Sequence, residues 1–182
     1  MSFDEQLDTL ARCGLKLDDR LQALRRADSW SRRDPGESDW GRVLVYLGSY
    51  DRGTRRCETL WHLDTECIEG DGSYVYVAER MSAMAQGSLP LSDIEDHVDM
   101  ESGEGWLRFT CQGKETEIDL EVESDWIDSS VFGHFVKLLA QCDPNRLYIY
   151  YDLGGQDCIL GCVTRDQYAE LLKVIPSVQP LT

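Results

Sequence analysis

Basic residues are scarce over most of this chain. Residues 57–182 hold 7 Lys and Arg against 24 Asp and Glu, whereas residues 1–56 hold 11 against 10. The formal net charge of −16 therefore sits almost wholly in the second part. A field of that sign repels nucleic acid and anionic membrane and speeds encounter with basic partners, so neither direct nucleic-acid binding nor membrane association is expected. Long apolar runs are also missing, and no stretch approaches the roughly 20 residues that cross a bilayer. No hydrophobic signal segment opens the sequence, and the seven cysteines are odd in number without the close spacing of a disulfide scaffold. Reduced thiols and a cytoplasmic location are the expectation.

Cofactor and metal signatures are equally sparse. Gly154-Gly155 lacks the Lys and the spacing of a phosphate-binding loop. Cys57, His62 and Cys67 sit five apart, but the paired C-x2-C or H-x3-H spacing of a zinc site does not occur. The acidic connection Asp64–Gly72 fails the calcium-loop pattern, because Val75 stands where the bidentate Glu belongs. Cys158 and Cys162 are four apart, too far for an ordinary bridge within one strand. No cofactor and no metal are expected, and the sequence contains neither an internal repeat nor a low-complexity segment.

What the sequence does contain is alternation. From Glu115 to Glu123 every odd position is acidic (Glu115, Glu117, Asp119, Glu121, Glu123), while Ile118, Leu120 and Val122 hold even ones. Side chains alternate faces along a strand, so a strand here buries one apolar row and presents carboxylates on the other side. Trp106 to Cys111 alternates too, and Gln112-Gly113 lies between the two runs. A hairpin turning there sets Leu107 opposite Ile118, Arg108 opposite Glu117 and Thr110 opposite Glu115. Upstream, Asp93, Glu95, His97, Asp99 and Glu101 alternate with Ile94, Asp96, Val98 and Met100, which predicts a third strand whose inner row Asp96 interrupts. As a meander, the three strands would gather about ten carboxylates on one face, relieved by Trp106, Arg108 and His97.

The remaining pattern predicts an α+β fold, mostly antiparallel sheet packed by several helices, with a helical segment and loop over 1–40 and an α+β domain over 41–182. Ser2 with Glu5 and Thr164 with Gln167 form capping boxes for helices at Ser2–Cys13 and after Thr164. A second short helix is expected over Asp18–Ala27, with Leu21 and Leu24 inward, followed by a loop from Asp28 to Trp40 that Trp30 and Trp40 pin to the body. Arg42–Leu47 is a continuous apolar run of strand length, Gly48–Arg56 a basic turn, and Cys57–Leu63 a further strand. Tyr74–Gln86 reads as a helix capped by Asp71 or Ser73, and another runs from Asp128 or Ser129 to about Gln141. Arg146–Tyr151 and Gln156–Val163 form a hairpin, and Pro176 stops the last helix.

Three histidines (62, 97 and 134) give little support to an enzyme. His134, between Phe132 and Phe135, reads as a partly buried boundary residue, and His97 stands among carboxylates, where it balances charge rather than acting as a general base. Same-face carboxylates on a strand lie about 6.5–7 Å apart and exposed, without the pocket that raises the pKa of a catalytic acid.

The segment WHLDTECIEGDGSYVYVAERM, the acidic meander ending in Ser124–Asp128, the hairpin RLYIYYDLGGQDCILGCV and the capped helix TRDQYAELLKV together resemble bacterial polymorphic-toxin immunity proteins over about residues 57–175. That resemblance implies a non-enzymatic inhibitor that binds a cognate toxin domain, such as a basic nuclease, and covers its active site. The expected contacts are Glu95, Asp99, Glu115, Glu117, Asp119, Glu121 and Glu123, with Trp106 as aromatic anchor. Two alternatives stand beside it: an acidic interaction or DNA-mimicking module, and an enzyme using a cleft lined by Cys and His.

Overall fold

A computed structural model describes residues 1–24, 40–51 and 53–182 and has an α+β fold. The chain divides into two compact units, Met1–Leu63 with Tyr148–Pro180, and Asp64–Leu147 with Leu181–Thr182.

In the first unit, helix α1 (Phe3–Arg12) starts at the expected capping box. Ser2 Oγ accepts the Glu5 N–H at 3.3 Å, and Glu5 Oε2 accepts the Ser2 N–H at 2.7 Å. Leu7 and Leu10 are buried, and Phe3 meets the Tyr46 ring edge-on at 5.1 Å. Over Asp19–Leu24 the chain makes a 3-10 turn rather than the expected α-helix. The rest of that predicted helix, and the loop holding Trp30, lie outside the described residues.

The apolar run RVLVYL is not a strand. It belongs to helix α2 (Trp40–Gly48), in which Gly41, Val43, Leu44, Tyr46 and Leu47 are buried. An uninterrupted apolar run has no period to separate a buried strand from a buried helix, and tertiary packing decided for the helix. The predicted turn after it holds a small hairpin, β1 (Tyr50–Asp51) with β2 (Thr54–Arg55). Strand β3 (Leu60–Asp64) then joins β7 (Arg146–Asp152), β8 (Asp157–Thr164) and β9 (Gln179–Pro180) in a sheet of order β3-β8-β7-β9. The predicted hairpin is β7 and β8. Cys158 to Val163 are buried without alternation, and both α2 and helix α5 (Arg165–Val174) contact β8. Thr164 and Gln167 cap α5 as predicted.

The second unit is built on the meander β4 (Leu91–Asp99), β5 (Glu104–Cys111) and β6 (Lys114–Glu121), all antiparallel. The predicted register holds: Leu107 faces Ile118, Arg108 faces Glu117 and Thr110 faces Glu115. Gln112 and Gly113 both take positive φ (50° and 78°), as a two-residue hairpin with the right-handed twist of its strands requires. Leu107, Phe109, Ile118 and Leu120 are buried on the inner face, where Phe109 stacks on Phe135 of helix α4 (Ser130–Cys142) with centroids 5.8 Å apart. At the end of β5, Cys111 Sγ lies 3.7 Å from Cys142 Sγ.

Helix α3 (Ser73–Met84) packs against β4. Neither Asp71 nor Ser73 caps it. Its N-cap is Gly72, which offers no side chain, and the capping carboxylate comes from the sheet: Asp96 accepts the N–H groups of Gly72, Tyr74 and Val75 at 2.6, 2.8 and 3.0 Å. The polar interruption in the inner row of β4 is therefore a helix cap delivered from a distant strand. At α4 the Ser129 side chain makes no cap bond, and Asp128 Oδ1 accepts the Ser130 N–H at 2.9 Å.

Candidate functional site

The register arranges the outer face of the meander in cross-strand rows. Glu95, Arg108 and Glu117 form one; His97, Trp106 and Asp119 the next; Asp99, Glu104 and Glu121 the last, nearest the turn between β4 and β5. Thr110 with Glu115 continues the face toward the Gln112-Gly113 turn. The expected breadth of the acidic face shrinks at its margins. Asp93 sits in a bulge with φ of 50°, Glu101 lies in a turn, and Glu123 lies beyond β6, bridged to Trp126.

Charge is graded across the rows. Arg108 donates from Nε and Nη2 to Glu117 Oε2 at 2.9 and 2.6 Å, and its Nη1 stands 4.0 Å from Glu95 Oε2. Its guanidinium also lies over Trp106, 4.7 Å from the ring centroid. The first row thus carries its own cation, and Glu117 holds the Arg108 pKa above its ordinary value. In the middle row His97 Nδ1 lies 3.2 Å from Oδ1 of Asp71, a carboxylate outside the row. In the last row Glu104 faces Asp99 on one side and Glu121 on the other, and among the described residues none of the three is in an ion pair. Asp99 is tied to backbone instead. N–H groups of Ser102 and Glu101 donate to Oδ1 at 3.1 and 2.9 Å and hold its carboxyl below the usual range.

The bond from Val122 N–H to the Gly103 carbonyl at 2.9 Å fixes which pairs exchange hydrogen bonds. Hydrogen-bonded and non-hydrogen-bonded pairs alternate, so Glu104 and Glu121 form a non-hydrogen-bonded pair, the kind in which side chains come closest. Like charges opposed in this way destabilise a sheet.

The same end of the face is concave. A hollow of about 440 Å³ is lined by His97, Asp99, Ser102, Glu104, Gly105, Trp106, Asp119 and Leu120. Gly105 is obligatory there, because a Cβ would come within 2.7 Å of the His97 carbonyl oxygen and 3.2 Å of Val122 Cγ2. Glu104 is not among the expected contacts, though it continues the alternation of Trp106 and Arg108 by one step. Of the expected contacts, Asp99, Trp106, Asp119 and Glu121 meet in this region; Glu95 and Glu117 are drawn to Arg108; Glu115 stands near the opposite turn.

The other chemical candidates do not assemble. His62 Nε2 lies 3.3 Å from Asp157 Oδ1, and Cys57 is buried beside Thr59. Cys67 is in the other unit, where burial pushes its thiol up to about 11. His134 is exposed rather than partly buried, because the apolar face of α4 turns Phe132 and Phe135 inward. Among the described residues no group of three or more His, Cys, Asp or Glu side chains is placed to hold a metal ion, and no helix is long and apolar enough to cross a membrane. No protein-family model, no curated protein and no solved structure matches the chain.

Proposed function

We propose that this chain is a non-enzymatic immunity protein of the bacterial polymorphic-toxin type, which acts in the cytoplasm by docking its acidic sheet face on a basic toxin domain. The observation that carries the reading is the row Asp99, Glu104 and Glu121, with Asp119 beside it: carboxylates opposed across adjacent strands, next to a hollow that contains an aromatic ring. A cation from a partner would relieve repulsion that the fold tolerates when free, so association gains at this spot more than at an evenly charged surface. Trp106 supplies the large, rigid contact typical of interface anchors.

The test begins by capturing the partner from the native host and identifying the bound chain. Glu104, Asp119 and Glu121 are then changed together to Lys, and binding is measured across a range of salt concentrations. The expected result is an affinity loss of about 100-fold or more at low salt, with a shallower salt dependence. Unchanged affinity and an unchanged salt slope, with the fold intact by circular dichroism, would sink the reading.

A further inference from the structure

The two edges of the meander are finished differently. On β4 the register breaks between Ser92 and Glu95, α3 packs alongside, and the outward N–H of Val98 donates to Asp71 Oδ1 at 2.7 Å. Bulges and covering elements are the usual ways a protein closes an edge to further pairing. On β6 the eight residues from Lys114 to Glu121 pair with β5 in unbroken register, and among the described residues no strand lies on the far side. Backbone groups alternate sides along an antiparallel strand. Since Val122 N–H points to β5, the even residues of β6 bond inward, and Glu115, Glu117, Asp119 and Glu121 direct N–H and C=O to the open edge. The Glu121 N–H is taken by Asp128 Oδ2 at 3.0 Å, which closes the edge at that end and, among the described residues, leaves Glu115 to Asp119 open.

We infer that β6 is a strand-addition edge, and that an extended segment of the basic partner pairs with Glu115–Asp119 so that its alternate Lys or Arg side chains lie along the acidic face. This rests on the docking role proposed above for that face and specifies how the partner engages it. Charge selects the occupant. A second copy pairing edge to edge would set carboxylates beside carboxylates, which disfavours self-association, whereas a strand with Lys or Arg at every second position sets opposite charges side by side. Main-chain hydrogen bonds then supply affinity and the carboxylate row supplies selectivity, as in other strand-addition complexes.

The experiment uses the full chain and two synthetic probes: a capped ten-residue peptide alternating Lys with Thr, and the same peptide N-methylated at alternate residues, which keeps the charge and removes the backbone donors. Amide hydrogen exchange followed by NMR should show new protection at Glu117 and Asp119 with the unmodified peptide. The N-methylated peptide should bind about tenfold more weakly or worse, the effect of losing two or three net hydrogen bonds. Asp119→Pro, which leaves pairing with β5 intact because that N–H faces outward, should reduce binding well beyond the charge control Asp119→Asn. Equal affinity for both peptides with no added protection overturns strand addition. If that binding still falls when Glu104, Asp119 and Glu121 become Lys, the acidic face survives as a charge-only docking site. Failure of both peptides to bind at low salt overturns both readings.

Discussion

The chain's two larger sheets bury themselves in opposite ways. In the meander β4-β5-β6 one face is apolar and the other charged, so from Glu115 to Glu121 β6 alternates between exposed Glu or Asp and buried or half-buried residues. In the sheet β3-β8-β7-β9, strand β8 is buried at six consecutive residues, Cys158 to Val163, and is contacted by both α2 and α5. A one-sided sheet writes its register into the sequence, because shifting by one residue would turn every carboxylate into the core. A strand covered on both faces writes only hydrophobicity, and nothing in the run itself says which neighbour lies where.

The strongest way to break this comparison is alanine replacement at adjacent positions. Ile159→Ala and Leu160→Ala in β8 should each cost about 2–5 kcal/mol, since both side chains are buried. In β6 the neighbours should part company: Ile118→Ala should cost a similar ~2–5 kcal/mol, while Asp119→Ala should leave the urea midpoint where it is or raise it. If the two β8 variants differ as sharply as the β6 pair, β8 is one-sided and the contrast fails.

A smaller effect sharpens the exception inside the meander. Asp96 interrupts the inner row of β4 only because its carboxylate caps α3, so Asp96→Ala should cost about 1–2 kcal/mol and speed amide exchange at Tyr74 and Val75. Asp96→Asn, which keeps an acceptor oxygen, should cost less. Equal losses from the two variants would mean that the position serves packing rather than the cap.

The smallest expected effect compares acid sensitivity in the two units. In the first, the Arg20 side chain and then the Arg20 backbone N–H lower the Asp18 carboxyl from 3.8 to about 2. A pKa depressed in the folded state contributes stability that is complete above the unfolded value and is lost as pH falls through the folded one. Asp18→Asn should therefore remove part of the stability decline between pH 4 and pH 2. In the second unit Asp99→Asn should act in the same direction, through the Ser102 and Glu101 N–H groups. Urea titrations at pH 2, 3, 4 and 6 would check both, and acid-limb slopes identical to the parent chain would refute them.

Much of this arrangement was legible beforehand. Both capping boxes, the Gln112-Gly113 turn, the pairing of Leu107 with Ile118 and the β7-β8 hairpin follow from local chemistry or period-2 patterning. Misreadings arose where local signals were silent or had distant partners. The run Arg42–Leu47 had no period and became helix α2, and the cap expected from Asp71 or Ser73 came from Asp96, more than twenty residues away. For the candidate site, alternation sorted the carboxylates onto one face but could not say which would meet a cation.

By itself, then, the sequence determined that the meander is one-sided and acidic and where its hairpin turns, because those properties depend on residue parity and turn chemistry within a few positions. Only the tertiary structure decided that Arg108 neutralises Glu117 and approaches Glu95, that Asp99, Glu104 and Glu121 are left facing one another beside a hollow, and that among the described residues no strand covers the edge of β6 while that of β4 is broken by a bulge and capped at Val98 by Asp71. Those outcomes depend on how side chains and backbone groups remote in the chain are shared out, and a one-dimensional pattern carries no record of that division.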